Sequence, residues 1–414
     1  MISQSPTPLF DSLQPTLAKI VPAWLQKRSA DTPYLLIEYQ HALQFLCSYR
    51  GSEPTFNAYR REVERLLQWS WWVVEKPVKA LRRHDFEQFV EFCQHPPDKW
   101  IGIKTVARYK MQQGQRVPHE QWRPFVVNVT KLAHRNGQRP DPKHYVLQQK
   151  SLHALFAICG SFFNYLIQED YLEANPVVQI RQKSKFIRRQ QTKPIIRRLT
   201  ELQWSYVLDA AEKMAQQNPK EHERTLFIMK ALYGMYLRIS ELAASQRWQP
   251  QMGHFIRDRD RHWWFLTVGK GNKERMISVS DDMLAALKRY RASLNLTGLP
   301  TPGETTPLIM HTHSVSPITS TRYIRTIVQA CFDQALALMY LDQLQDEADA
   351  LKVASVHWLR HTGISDDIKH RPREHVRDDA GHASSAITDK YIDVTLRERH
   401  ASAQKKKLNP LDNT

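Results

Sequence analysis

The sequence predicts a mainly α protein with a small β-sheet, arranged as two domains, and three observations lead there. Apolar residues recur near a period of 3.6 through most of the chain, the spacing that lines one face of a helix. One stretch, His262 to Val279, alternates instead around a glycine-containing turn. The 414 residues are too many for one ordinary hydrophobic core, so two domains are expected.

Residues 1–31 hold several prolines and no strong repeat, and are expected to form a tail or arm. The region 32–180 reads as a helical bundle. Its first helix runs from Thr32 with Leu35, Leu36, Tyr39, Leu43 and Leu46 in phase, until Gly51 breaks it. Thr55 looks like the N-cap of a second helix to Trp72, with Tyr59, Val63, Leu66 and Leu67 on one face and Arg60, Arg61 and Arg65 on the others. Helices at Asp85 to Cys93 and Ser151 to Glu169 complete the bundle, which Asn175-Pro176 ends. Residues 96–149 are long, basic and poorly periodic, and read as an insertion rather than as core.

A basic linker is expected over 181–199. It carries Arg181, Lys183, Lys185, Arg188, Arg189, Lys193, Arg197 and Arg198 without one acid. Such runs are usually solvated linkers, yet this one would also lie well along a phosphate backbone. The second domain, 200–414, opens with a capping box at Thr200-Glu-Leu-Gln203. Helices follow at about 222–235, 238–245 and 281–292, then Ser320 to Leu338, His357 to Lys369 and from Ala386 onward, with the hairpin of 262–279 between them.

Composition narrows the class of function. Lys and Arg number 59 against 42 acids, a formal charge of +17, which draws polyanions and points to nucleic acid, or more blandly to a ribosome-associated or sticky basic protein. Hydrophobic residues at 42% and eleven tryptophans suit globular domains rather than a disordered basic tail. Cys47, Cys93, Cys159 and Cys331 are far apart, which argues against a zinc module or a disulfide framework and suits a reducing compartment. Neither a leader-like N-terminus nor a bilayer-length apolar run is read in the sequence, so a soluble protein of the bacterial cytoplasm is expected.

The chemistry rests on scattered basic residues and one tyrosine. Arg238 starts a predicted helix with Glu241 on the same face, and alone it reads as a surface ion pair. Lys270 and Lys273 compete for the tip of the hairpin, where a flexible ammonium could enter a DNA groove; either could equally be a solvated turn residue. His357, Arg360 and His361 share one helical face. A metal pair is the rival reading there, but the acid of a His-Glu-x-x-His helix is missing, and a phosphate site fits better. Gly381 permits close backbone approach beside His382, and Tyr391 follows nine residues later; a lone tyrosine is far more often a packed core or rim residue than a nucleophile.

In order, the chain shows Leu237-Arg-Ile-Ser-Glu-Leu242, Gly269-Lys-Gly-Asn-Lys-Glu-Arg275, His357-Trp-Leu-Arg-His361, Ala380-Gly-His382 and Tyr391. Together these motifs resemble the tyrosine recombinase, or phage integrase, family of site-specific DNA recombinases, closely over about 200–395 and more loosely over 32–180. The resemblance implies a SAM-like core-binding domain followed by an α+β tyrosine recombinase catalytic domain, closing around duplex DNA as a clamp. It implies that Arg238 and Arg360 bind the scissile phosphate with help from His382, that Tyr391 forms a 3′-phosphotyrosine, that Lys270 protonates the departing 5′-oxygen and that His357 assists proton transfer. Glu241 and His361 would orient these groups, and Lys273 and Arg275 would join the linker residues on DNA.

The resemblance also implies a tetramer on two paired sites, as in a mobile element, accessory proteins, and no metal or other cofactor. A type IB topoisomerase, with a similar residue set, and a site-specific DNA-binding protein whose catalytic domain has decayed are the alternatives. Three departures from the family pattern stand out: Met235-Tyr236 before Leu237, the acids Asp366-Asp367, and Asp379-Ala380 before Gly381.

Overall fold

The computed structural model describes residues 5–14, 21–181, 197–269, 271–382, 384–389 and 404. Lys183, Lys185, Arg188, Arg189, Lys193, Lys270 and Tyr391, and nearly all of the expected tail 395–408, lie outside the described residues. The chain divides into two compact units, Met1–Gln191 and Thr192–Thr414.

The first unit is built on helices α1 (Ala23–Ser29), α2 (Tyr34–Cys47), α3 (Glu53–Trp72), α4 (Arg83–Gln94) and, late in the chain, Gln149–Gln168 and Pro176–Arg181. α3 begins at Glu53 rather than after Thr55, because Pro54 fits the first turn, where its missing N–H is not needed. Of the three arginines that the periodicity set on its other faces, Arg61 is exposed, but Arg60 and Arg65 are not. Arg60, Glu62, Glu64 and Arg65 are all buried. Much of what covers them is the segment expected to be an insertion: Trp100, Ile101, Phe125 and Val127 join the core, and Arg65 donates to the Pro124 carbonyl through Nε (3.0 Å) and Nη2 (2.6 Å). Residues 96–149 therefore contribute to the core, with a parallel pair β1 (Ile101–Gly102) and β4 (Phe125–Val126) flanking a hairpin of β2 (Tyr109–Gln112) and β3 (Gln115–Pro118).

The N-terminal stretch is likewise part of the fold rather than a tail. Leu9 and Phe10 are each 1% exposed, and Phe10 stacks on Tyr39 with ring centroids 5.0 Å apart. The Leu9 N–H donates to the Glu64 carboxylate (2.5 Å), Arg108 pairs with the same carboxylate and donates to the Phe10 carbonyl (2.9 Å), and Tyr109 Oη donates to the Pro8 carbonyl (2.8 Å). Glu64 and Arg108 are thus desolvated together, which is tolerable only because their hydrogen bonds are made.

The second unit packs α5 (Glu201–Gln217), α6 (Pro219–Gly234), α7 (Ile239–Leu242), α8 (Asp281–Ser293), α9 (Thr321–Leu341), α10 (Gln345–Leu351) and α11 (Val356–Asp367) around one core with a three-stranded antiparallel sheet, while α12 (Arg373–Ala380) joins Tyr236 and Ile364 in a smaller apolar cluster and α13 (Ser385–Thr388) follows. Thr200 and Gln203 make the expected capping box. The sheet order is β5 (Phe255–Arg257), β6 (Trp263–Val268), β7 (Glu274–Ser278); the expected hairpin is β6–β7, in register from Trp264 opposite Ser278 to Val268 opposite Glu274. β5, α10 and α12 were not anticipated. α7 is one turn long, shorter than the expected 238–245, because the chain turns extended at Ala243. Among the described residues no helix is long and apolar enough to cross a membrane.

Candidate active site

The one-turn helix α7 sets the first corner of the site. Arg238 is its N-cap residue, and the carboxylate of Glu241, three positions on, accepts from the Arg238 N–H (2.7 Å) and from Arg238 Nη1 (3.0 Å). Glu241 is buried and also receives Arg275 from β7 as a two-pronged pair, Nη1 at 2.7 Å and Nη2 at 2.8 Å. Burial alone would raise the Glu241 carboxyl, but the hydrogen bonds and charge of Arg275, then Arg238, hold it below its ordinary value. It stays ionised and aligns two guanidiniums side by side.

Arg275 was expected on DNA. Its side chain is only 9% exposed, and Nε donates to the Asp379 carbonyl (3.0 Å), so it forms part of the wall of the site. Lys273 is exposed on the β6–β7 turn. Arg197 is exposed and Arg198 half-buried just before α5.

α11 supplies the second corner. His357, Arg360 and His361 project from it, the two imidazoles in edge contact with centroids 4.2 Å apart. Arg360 is 2% exposed; Nη1 donates to the Tyr236 carbonyl and Nη2 to the Ala380 carbonyl (2.5 Å). α11 can come this near α6 because residue 363 is glycine, where a Cβ would meet the Tyr233 carbonyl oxygen at 2.1 Å. Tyr236 itself is strained, with φ +49°, a left-handed backbone that costs a non-glycine residue about 1–2 kcal/mol.

The third corner is the end of α12. Gly381 is left-handed at φ +63°, and a Cβ there would lie 2.8 Å from Arg275 Cδ, so glycine is required both for the turn and for the approach. The turn delivers His382, whose Nε2 lies 3.3 Å from Arg360 Nη2 and whose Nδ1 lies 2.9 Å from Thr388 Oγ1. With Arg360 as the donor, Nε2 accepts and Nδ1–H donates to Thr388.

Electrostatically the corners are one site. Burial, then the charges of Arg360, Arg238 and Arg275, push His382 down to about 4. Burial with Arg360 and Arg238 lowers His357, and burial with His357, Arg360 and His382 brings His361 to about 4. Near neutral pH, His361 and His382 are therefore neutral imidazoles facing fixed positive charge. Such a pocket favours an anion with several acceptor oxygens and offers imidazoles able to take a proton.

Seven of the sequence-predicted residues thus come together: Arg238, Glu241, Arg275, His357, Arg360, His361 and His382. Lys270 and Tyr391 are outside the described residues. Sequence reasoning missed Thr388 and the carbonyls of Tyr236, Asp379 and Ala380; backbone acceptors leave no residue signature. Away from these arginines' hydrogen bonds, among the described residues, Asp258, Asp260 and His262 bring ligand-type atoms within 4.8 Å of one another, all exposed, with Asp258 already accepting from Trp264 Nε1 (2.8 Å) and the His262 N–H (2.8 Å).

Residues 197–398, which include all three corners, match the phage integrase family. They are a phage integrase family domain. The chain is similar to curated proteins: the tyrosine recombinase XerC of Chlorobaculum parvum is 24% identical over 151 residues, 35% of this chain and 42% of that protein. XerC of Pediococcus pentosaceus is 25% identical over 265 residues, 63% of this chain and 76% of its own length. The match thus spans less than half of the first relative and about three quarters of the second.

Among solved structures, the XerH site-specific recombinase bound to palindromic difH substrate, in a post-cleavage complex, aligns with a TM-score of 0.53 at 12% identity, covering 95% of this chain and 93% of that one. The Tn1549 transposon integrase in complex with transposon right end DNA aligns with a TM-score of 0.50 at 14% identity, covering 88% and 98%. At such identities the likeness is one of fold. Both alignments reach beyond the integrase-family domain into the first unit, so the helical bundle that precedes the domain shares in that likeness.

Proposed function

We propose that the protein is a site-specific DNA recombinase that cuts and rejoins strands of duplex DNA through a 3′-phosphotyrosine at Tyr391. The observation that carries this reading is the convergence of Arg238 and Arg360 on the same two imidazoles, His357 and His382, inside an integrase-family domain. The DNA-bound states of XerH and of the Tn1549 integrase support DNA as the partner.

In this reading Arg238 and Arg360 hold the non-bridging oxygens of one phosphate and neutralise the charge that gathers on them. The Tyr391 oxygen attacks phosphorus, its proton passing toward His357, which its lowered basicity leaves free to accept. The bond to the 5′-oxygen breaks, and Lys270 gives that oxygen a proton. A bound phosphate offsets the arginines' charge, so His382 can donate to it as the reaction proceeds. Because one phosphodiester is exchanged for another, a 5′-hydroxyl from a second duplex reverses the step and joins new partners without an energy source. Four copies acting on two paired sites, helped by accessory proteins, would complete the exchange, with the basic run 181–199 and Lys273 along the DNA backbone.

Covalent trapping tests this. Cells carrying the element's DNA express the parent or Tyr391→Phe, are denatured, and protein-linked DNA is recovered and its ends sequenced. Discrete ends linked to the parent alone are expected. Dispersed ends would indicate a topoisomerase, and tight binding without any link would overturn the catalytic reading.

A further inference from the structure

The three departures from the family pattern, far apart in sequence, meet in one hydrogen-bonded network directly behind the arginines. At its centre is Arg371, between α11 and α12. Its Nη1 donates to Tyr236 Oη (2.9 Å) and to Asp367 Oδ2 (3.0 Å); its Nη2 donates to Asp379 Oδ2 (2.6 Å) and to Ser278 Oγ (2.9 Å). The partners also bond to one another. Tyr236 Oη donates to Asp367, and Ser278 donates to Asp379 through Oγ (2.5 Å) and its backbone N–H (3.1 Å). One planar fork therefore ties four segments: the residue two before Arg238, the end of α11, the end of β7 and the end of α12.

The segments so tied bear the acceptors that hold Arg360, which binds the phosphate in this reading, and Arg275, which walls the site. The Tyr236 and Ala380 carbonyls take Arg360, and the Asp379 carbonyl takes Arg275. Tyr236 combines a left-handed backbone with a side chain bonded to Asp367 and Arg371, and Asp379 sits one residue before Ala380 and two before the Gly381 turn that carries His382. We propose that Arg371 is a positioning residue for strand cleavage: by bracing Tyr236 against Asp379 it fixes the carbonyls that aim Arg360 and Arg275. A lysine could reach one of these partners but cannot bridge them in a plane. The inference rests on the recombinase reading above and extends it to residues that never touch DNA.

The test uses the full-length protein and a duplex bearing the cleavage site mapped by covalent trapping. Single-turnover attachment and equilibrium affinity are measured for the parent, Arg371→Lys and Tyr236→Phe. Attachment is expected to slow on the order of 100-fold in Arg371→Lys, the scale of an ångström-sized misplacement of reacting groups, and about 10-fold in Tyr236→Phe, with affinity unchanged. Replacing the scissile phosphate by a neutral methylphosphonate lowers the demand for aligned guanidiniums, so the gap to the parent should narrow.

Parent-like attachment by both variants, or a deficit that persists undiminished on the methylphosphonate, overturns the proposal. Should Arg371→Lys fail to fold, Tyr236→Phe, which keeps the buried ring, decides alone. A parent that forms no link to DNA removes the recombinase reading and this inference with it, a result distinct from a linking parent with equally active variants.

Discussion

Arg360 shows how a buried charge is used. A guanidinium at 2% exposure survives because backbone carbonyls accept from it, and those carbonyls fix its direction. Arg360→Lys keeps the charge but loses the fork, so strand cleavage should fall at least about 100-fold, the scale of removing one transition-state donor, while DNA is still bound; equal cleavage by mutant and parent would count against the clamp. Gly381→Ala asks a Cβ to share space with Arg275 Cδ in a left-handed turn, and should destabilise the second unit by about 1–2 kcal/mol or more, seen as a lower urea midpoint. The types of these residues were legible because spacing along one helix or one turn is local geometry. Their partners were not: the carbonyls of residues 236, 379 and 380 become acceptors only when segments distant in sequence close, and Thr388, six residues from His382, meets it only through the turn at Gly381.

At the scale of elements, the capping box at Thr200 and the β6–β7 hairpin could be read directly, since each is decided by a few adjacent residues. α3 could not. Its Arg60, Glu62, Glu64 and Arg65 are polar and read as solvent-facing, and only the N-terminal segment and the chain at 100–127 together make that face interior. The same holds for Leu9 and Phe10, an apolar pair too short to register, whose ring partner Tyr39 and hydrogen-bond partner Glu64 both lie on later helices. Phe10→Ala should therefore behave as a core truncation, costing about 3–5 kcal/mol, and removal of residues 1–11 should expose Glu64 and Arg108 and do at least as much harm. A first unit that melts unchanged without Phe10 would refute this placement.

For the whole molecule, the two units should answer pH with opposite signs. In the second, His361 and His382 titrate near 4 folded and near their ordinary 6.5 unfolded, so the unfolded chain binds more protons between those values and stability is lost as pH falls from about 6.5 toward 4. In the first, burial raises Glu38 to about 7 despite hydrogen bonds from Trp71, Tyr171 and the Val78 N–H; the folded state then holds the extra proton, and stability is lost as pH rises from about 4.5 toward 7. Calorimetry of the intact chain should show two transitions moving in opposite directions between pH 7 and pH 5. His361→Asn should blunt one of them only; a common shift would sink the assignment. The clasp that Glu64 and Arg108 place on the N-terminal segment also bears on biosynthesis. Arg108 follows Phe10 by 98 positions, so at ribosomal speeds of about 5–20 residues per second the leading apolar pair waits roughly 5–20 s for its latch. During that interval Leu9 and Phe10 have Tyr39 and then Glu64 to meet but not the Arg108 clasp, and a nascent-chain chaperone has its opportunity.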